Sequence, residues 1–196
     1  MKESLESIRH ARSKKDFPYL SLEEGEYVEL AITRSKASLF AIWFFAITAL
    51  LILTLVILSI PSDFLSSSLI PLPQQTLDFF SLALFILYAL ILIIAAIGTK
   101  IHFGNKLFIT NKRAIQRTVS GLFGESVNIV ELSRIEDVIF KQANFIQKLF
   151  NYGTIRMSTV GDETTYTFHF VSTPTDEVQS ISHLVHMVRE KKNKEN

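Results

Sequence analysis

Two apolar runs, Ser38 to Ile60 and Phe79 to Thr99, contain no charged residue. An α-helix rises about 1.5 Å per residue and a bilayer core is about 30 Å thick, so roughly 20 apolar residues span it. The runs predict a two-helix transmembrane hairpin, with helices about 38–60 and 79–99. The first run starts too late and is too long for a signal peptide. The hairpin divides the chain into an N-terminal segment (1–36), the hairpin itself (37–99), a C-terminal domain (100–190) and a disordered tail (191–196).

Charge placement orients the hairpin. Arg34 and Lys36 precede it, and Lys100, His102 and Lys106 follow it. The intervening loop holds Asp63 and Asp78 and no Lys or Arg. The positive-inside rule then puts both termini in the cytoplasm of a multi-pass cytoplasmic-membrane protein. Neither run contains Asp, Glu, Lys, Arg or His, the residues that mark ion paths and proton relays. The hairpin therefore reads as an anchor. Thr48 and Tyr88 are the polar side chains near mid-depth, and antiparallel helices bring them to similar depth.

The chain has no cysteine, which excludes disulfides, thiolate nucleophiles and zinc fingers. A net charge of +1 gives no electrostatic case for nucleic acid. There is no P-loop, HExxH, GxSxG or dinucleotide fingerprint, so no enzyme, cofactor or metal is expected. His183 and His186 lie three apart without a third ligand beside them. Glu23, Glu24 and Glu26 form an acidic group around Gly25 without the defined cleft a catalytic pair needs.

Periodicity sketches the rest. Met1 to Asp16 is polar, with a thin stripe of Leu5, Ile8 and Ala11, and is expected to be a frayed helix or disordered tail. Tyr27 to Thr33 alternates as a half-buried strand, with Val28, Leu30 and Ile32 on one face. A lone strand is unstable, so it must pair with the C-terminal domain. Beyond the hairpin, strands are predicted over Lys106–Thr110, Arg113–Val119, Glu125–Leu132, Arg134–Gln142, Thr154–Val160 and Thr164–Ser172. Asn111-Lys112, the glycine-bounded Ser120–Gly124 and Gly161–Glu163 are turns, and Asn144–Asn151 is a short helix. In the last strand Tyr166, Phe168 and Phe170 share one face, and Thr165, Thr167, His169 and Val171 the other. Thr173 caps a final helix that starts at Pro174 and carries Val178, Ile181, Leu184, Val185 and Val188 on its apolar face.

Six short strands and a closing amphipathic helix suit an α+β domain in which a strongly bent antiparallel sheet or barrel is capped by the helix. Leu107-Phe108-Ile109-Thr110-Asn111-Lys112-Arg113-Ala114-Ile115, Leu132-Ser133-Arg134-Ile135-Glu136-Asp137-Val138 and Leu149-Phe150-Asn151-Tyr152-Gly153-Thr154-Ile155 follow in order. Together these blocks resemble the bacterial pleckstrin-homology (PH)-like domain family of YdbS-type membrane proteins. Leu22-Glu23-Glu24-Gly25-Glu26-Tyr27-Val28 resembles the segment that precedes the membrane in that family. The resemblance implies a PH-like fold on a cytoplasmic membrane and supplies no catalytic residue. A full PH barrel has seven strands, so either one strand is missing from the six or Tyr27–Thr33 provides the seventh.

Lys100, Lys106, Lys112, Arg113 and Arg117 cluster near the first strands, where eukaryotic PH domains bind phosphoinositides. Their spacing here is loose. Nonspecific attraction to anionic lipid headgroups is expected, at about 1 kcal/mol per residue near the surface. Phe145, Phe150 and Tyr152, with the Lys112-Arg113 turn and the Gly161–Glu163 tip, are candidate partner-facing groups. The expected function is a non-catalytic, membrane-anchored interaction or scaffold module for protein partners or self-association, without nucleic acid. The alternative is a small transport or envelope-stress component whose hairpin oligomerises.

Overall fold

The computed structural model describes residues 2–59, 74–159, 165–172 and 174–195. Most of the 61–78 loop, the Gly161–Glu163 turn and the Thr173 cap lie outside them. The chain forms two compact units, one of residues 1–37 with 101–196 and one of residues 38–100.

The second unit holds most of α2 (Lys36–Leu58) and α3 (Gln74–Gly104), both long and apolar enough to cross a membrane; the last turn of α3 belongs to the first unit. Ile42 packs on Gly98 near one end, and Tyr88 Oη meets Thr54 Oγ1 at 2.6 Å farther along, so the helices run antiparallel. The partner of Tyr88 is thus Thr54 rather than Thr48. Helix α3 extends beyond the expected 79–99 span at both ends. Phe40, Phe45, Leu58, Phe79 and Phe85 point outward from the pair.

The other unit holds seven strands. Strand β1 (Val28–Thr33) comes before the hairpin. After it come β2 (Lys106–Thr110), β3 (Arg113–Ser120) and β4 (Gly124–Glu131), which with β1 make an antiparallel sheet of order β1-β2-β3-β4. A 3₁₀ turn, Leu132–Arg134, leads to β5 (Ile135–Lys141), α4 (Phe145–Leu149), β6 (Tyr152–Thr159) and β7 (Thr165–Ser172). These three strands make a second sheet of order β5-β6-β7. The expected barrel is not closed. The 3₁₀ turn breaks the chain between β4 and β5, and the sheets are linked by the bridge Arg34–Val171 and a Ser35 N–H to Phe170 carbonyl bond of 2.5 Å.

The core lies between the sheets and under α5 (Pro174–Glu195). Ile32, Leu107 and Ile109 meet Ile155, Met157, Phe168 and Val171, and Ile181 and Val185 of α5 close over them. Val178, Leu184 and Val188 complete the apolar face predicted for this helix, which runs on into the expected tail. Strand β2 is buried on both faces, which is why Leu107-Phe108-Ile109 reads as a continuous apolar run. Phe108 faces away from the core and is covered by Phe17 and Tyr19, at ring separations of 5.2 and 6.0 Å.

One expectation changes here. The alternation in β7 breaks at Phe170. Thr154 pairs with His169 and Gly153 with Val171, leaving Phe170 as an extra residue with φ 61°. This bulge turns Val171 into the core and Phe170 outward, where its ring stacks on Tyr152 at 5.4 Å. Of the two alternatives for the N-terminus, the structure takes the helix, and docks it. Residues Lys2–Asp16 form helix α1, held to the β1 region by polar groups. His10 Nδ1–H donates to the Glu26 carbonyl (2.5 Å), Ser13 Oγ accepts from Val28 N–H (3.0 Å), and Arg9 reaches Glu29 (3.3 Å). Leu5 and Ile8 stay exposed.

Candidate functional site

The two sequence blocks on either side of the hairpin clasp each other. The turn between β2 and β3 is Thr110-Asn111-Lys112-Arg113, and it grips Ser21 to Tyr27. Asn111 imitates a strand neighbour. Its Oδ1 accepts from Tyr27 N–H (3.1 Å), its Nδ2 donates to the Gly25 carbonyl (3.1 Å), and its own N–H donates to the Tyr27 carbonyl (3.2 Å).

At the centre Glu26 is fully buried. Its Oε1 accepts from Arg113 Nε (2.9 Å) and Thr110 Oγ (2.8 Å), and its Oε2 from Arg113 Nη2 (2.9 Å) and Glu23 N–H (2.8 Å). Burial alone would raise the Glu26 pKa. The hydrogen bonds from Arg113, Glu23 N–H and Thr110, with the charge of Arg113, outweigh burial and hold it below the ordinary carboxylate range. Four donors fill the carboxylate's acceptor positions, so it has no lone pair to offer as a general base.

The other basic candidates are also placed. Lys112 Nζ sits 3.1 Å from Glu23, and Arg113 also donates to the Ser21 carbonyl (2.8 Å). Arg117 forks onto Glu125 at 2.5 and 3.0 Å, while its guanidinium lies over the Tyr19 ring at 5.4 Å. Lys106 Nζ lies over the same ring at 5.5 Å. Lys100 lies near the end of α3, in the other unit. The structure therefore gathers Lys112 with Arg113 and Lys106 with Arg117 around different partners, not into one anion cradle. A cavity of about 430 Å³ beside the clasp is lined by Lys112, Arg113 and Arg134, but also by Glu23 and Glu131.

The aromatic candidates divide. Phe145 is 77% exposed, and Ile146, Leu149 and Phe150 beside it are exposed too. Tyr152 stacks on Phe170, and the Arg34 guanidinium lies 5.7 Å over that ring. Burial lowers the Arg34 pKa, and its Nε has no hydrogen-bond partner. His183 and His186 are exposed, and among the described residues no three His, Asp or Glu side chains gather as a metal site.

Sequence reasoning missed Glu26 as a structural centre. The signal was Glu26 and Arg113 in the two resembling blocks, yet nothing in spacing pairs groups 87 residues apart.

Two sheets of four and three strands with a C-terminal helix over the core define a PH-like domain. The chain belongs to the bacterial PH domain family, whose sequence pattern matches residues 37–185. That span starts after β1, so the strand before the hairpin is an addition the structure makes to the match. Among solved structures, the crystal structure of a DUF1696 family protein with a pleckstrin-homology domain from Shewanella loihica PV-4 is similar. It is 19% identical, with a TM-score of 0.33 over 43% of this chain and 70% of that one. No curated protein matches.

Proposed function

We propose that this chain is a membrane-anchored interaction module, with α2 and α3 spanning the cytoplasmic membrane and the PH-like domain displayed on its cytoplasmic face. The observation that carries the reading is the place of the hairpin, which is inserted between β1 and β2, neighbours in one sheet with Thr33 opposite Lys106. With α2 and α3 both spanning, a chain that leaves the sheet at Thr33 and returns beside it at Lys106 has both flanks on one side of the membrane, as one sheet requires. The outward-facing apolar side chains of α2 and α3 would otherwise be a large wet surface.

The domain works by contact, not by reaction. Its best-defined carboxylate is saturated, and Lys112, Arg113 and Arg117 are paired with its own glutamates. Anionic lipid therefore feels a weak, salt-sensitive attraction and not a shaped headgroup site. The exposed Phe145, Ile146, Leu149 and Phe150 are the surface for a protein partner or a second copy. Confinement to the membrane raises local concentration and makes weak contacts effective.

Cross-linking in native membranes followed by mass spectrometry tests this. Cross-links from Lys148 and its neighbours on α4 to another protein or another copy are expected. Cross-links confined to symmetric positions along α2 and α3 would instead favour a hairpin that oligomerises around a path.

A further inference from the structure

The ribbon between β3 and β4 reaches beyond its sheet. Pairing of β2 with β3 stops at Lys106–Arg117, but β3 and β4 continue through Thr118–Ser126, Val119–Glu125 and Ser120–Gly124. Three further pairs add about 10 Å of two-stranded ribbon. At its end Gly121 takes φ 87°, and Leu122 and Phe123 follow. Phe123 is 97% exposed, and Leu122 is exposed beside it. Burying a phenylalanine side chain is strongly favourable, so one presented fully to water loses that gain unless something covers it.

The ribbon lies against the end of α3. Gly104, the last residue of α3, packs so closely on Val119 that a Cβ there would come within 2.5 Å of Val119 Cγ2. The buried Asn105 side chain brackets the Val119 backbone, accepting from its N–H (3.0 Å) and donating to its carbonyl (3.4 Å). The ribbon is thus bolted to the final turn of α3, on which Phe103 is also exposed. Its stem carries the Arg117–Glu125 pair and Tyr19 between Lys106 and Arg117. Cations and a tyrosine at the stem with the exposed Phe123 at the tip make the polarity gradient of an interfacial anchor.

We propose that the Leu122–Phe123 tip inserts into the headgroup–acyl boundary of the bilayer that the hairpin spans. This adds a third membrane contact to those of α2 and α3. The inference rests on the membrane-spanning reading of α2 and α3.

The absence of cysteine allows a clean test with single-cysteine variants of the full chain, reconstituted in phosphatidylcholine–phosphatidylglycerol vesicles and carrying nitroxide labels. Collisions with oxygen, which partitions into lipid, are compared with those of a water-soluble nickel chelate at Phe123→Cys, Leu90→Cys and Ile129→Cys. The expected result is oxygen preference at 123 and 90 and nickel preference at 129. Nickel preference at 123 with oxygen preference at 90 overturns the insertion and leaves the membrane reading standing. Nickel preference at 90 overturns the membrane reading itself. A label at 123 shielded from both reagents is covered by protein, and that also overturns the insertion.

Discussion

Replacing Arg113 with methionine strands the Glu26 carboxylate in a site with no exposure to solvent. Removing one partner of a buried pair costs about 3–5 kcal/mol, whereas replacing both by groups that fit is often near neutral. Arg113→Met should therefore destabilise the chain by that amount, and Glu26→Gln with Arg113→Met by clearly less, as read by pulse proteolysis in urea on protein in detergent micelles. The same site sets a pH dependence. Glu26 has a folded pKa below its ordinary 4.5, so its stabilisation is fully present above about pH 4.5 and is lost as pH falls through the depressed value. Glu26→Gln should flatten the acid limb of the stability profile relative to the parent; an unchanged limb would show that the pair is not formed. Both residues stood out in the sequence, Glu26 as part of an acidic group and Arg113 as a candidate lipid contact. Their bond could not be read there, because it closes across the whole hairpin.

Among the elements, the strands and α5 follow from alternation and helical spacing, because each buries one face against the common core. The departures come where polar or backbone geometry takes over. Helix α1 docks through His10, Ser13 and Arg9 and leaves its thin Leu5, Ile8 and Ala11 stripe exposed. Ser13→Ala orphans the Val28 N–H at a cost of about 1–3 kcal/mol. Hydrogen exchange should accelerate over residues 2–16 and at Val28 while β6 stays protected; unchanged exchange in α1 would mean that the bond does not hold it. The bulge in β7 defeats a period-2 reading because one extra residue reverses every face after it. Opposite the bulge, Gly153 is crossed by the Phe140 ring, and a Cβ there would also meet the Lys141 carbonyl at 2.9 Å. Gly153→Ala should cost about 1–3 kcal/mol through overpacking, seen as a lower urea midpoint. A neutral result would show that Phe140 can swing aside.

For the molecule as a whole, the hairpin is legible as two uncharged runs, and the need of Tyr27–Thr33 to join the C-terminal domain as a seventh strand is legible in its alternation. Its partner β2 and their register are not, because pairing is a long-range choice that local pattern does not encode. The clasp at Glu26 and the β1–β2 ladder explain why a segment too small to fold alone is ordered: it forms one edge of the PH-like domain and covers Phe108. The central proposal is that the domain is built from both flanks of a membrane-spanning hairpin on one side of the bilayer. The most direct measurement places cysteines at Thr33 and Lys106, opposite each other in the ladder, in a chain carrying a protease site between residues 61 and 73. Membranes are treated with a short bis-maleimide and then cut. The account predicts that the two halves migrate as one species on a denaturing gel, and that a Thr33→Cys, Arg134→Cys control separates. Two separate halves from the Thr33→Cys, Lys106→Cys protein would contradict it.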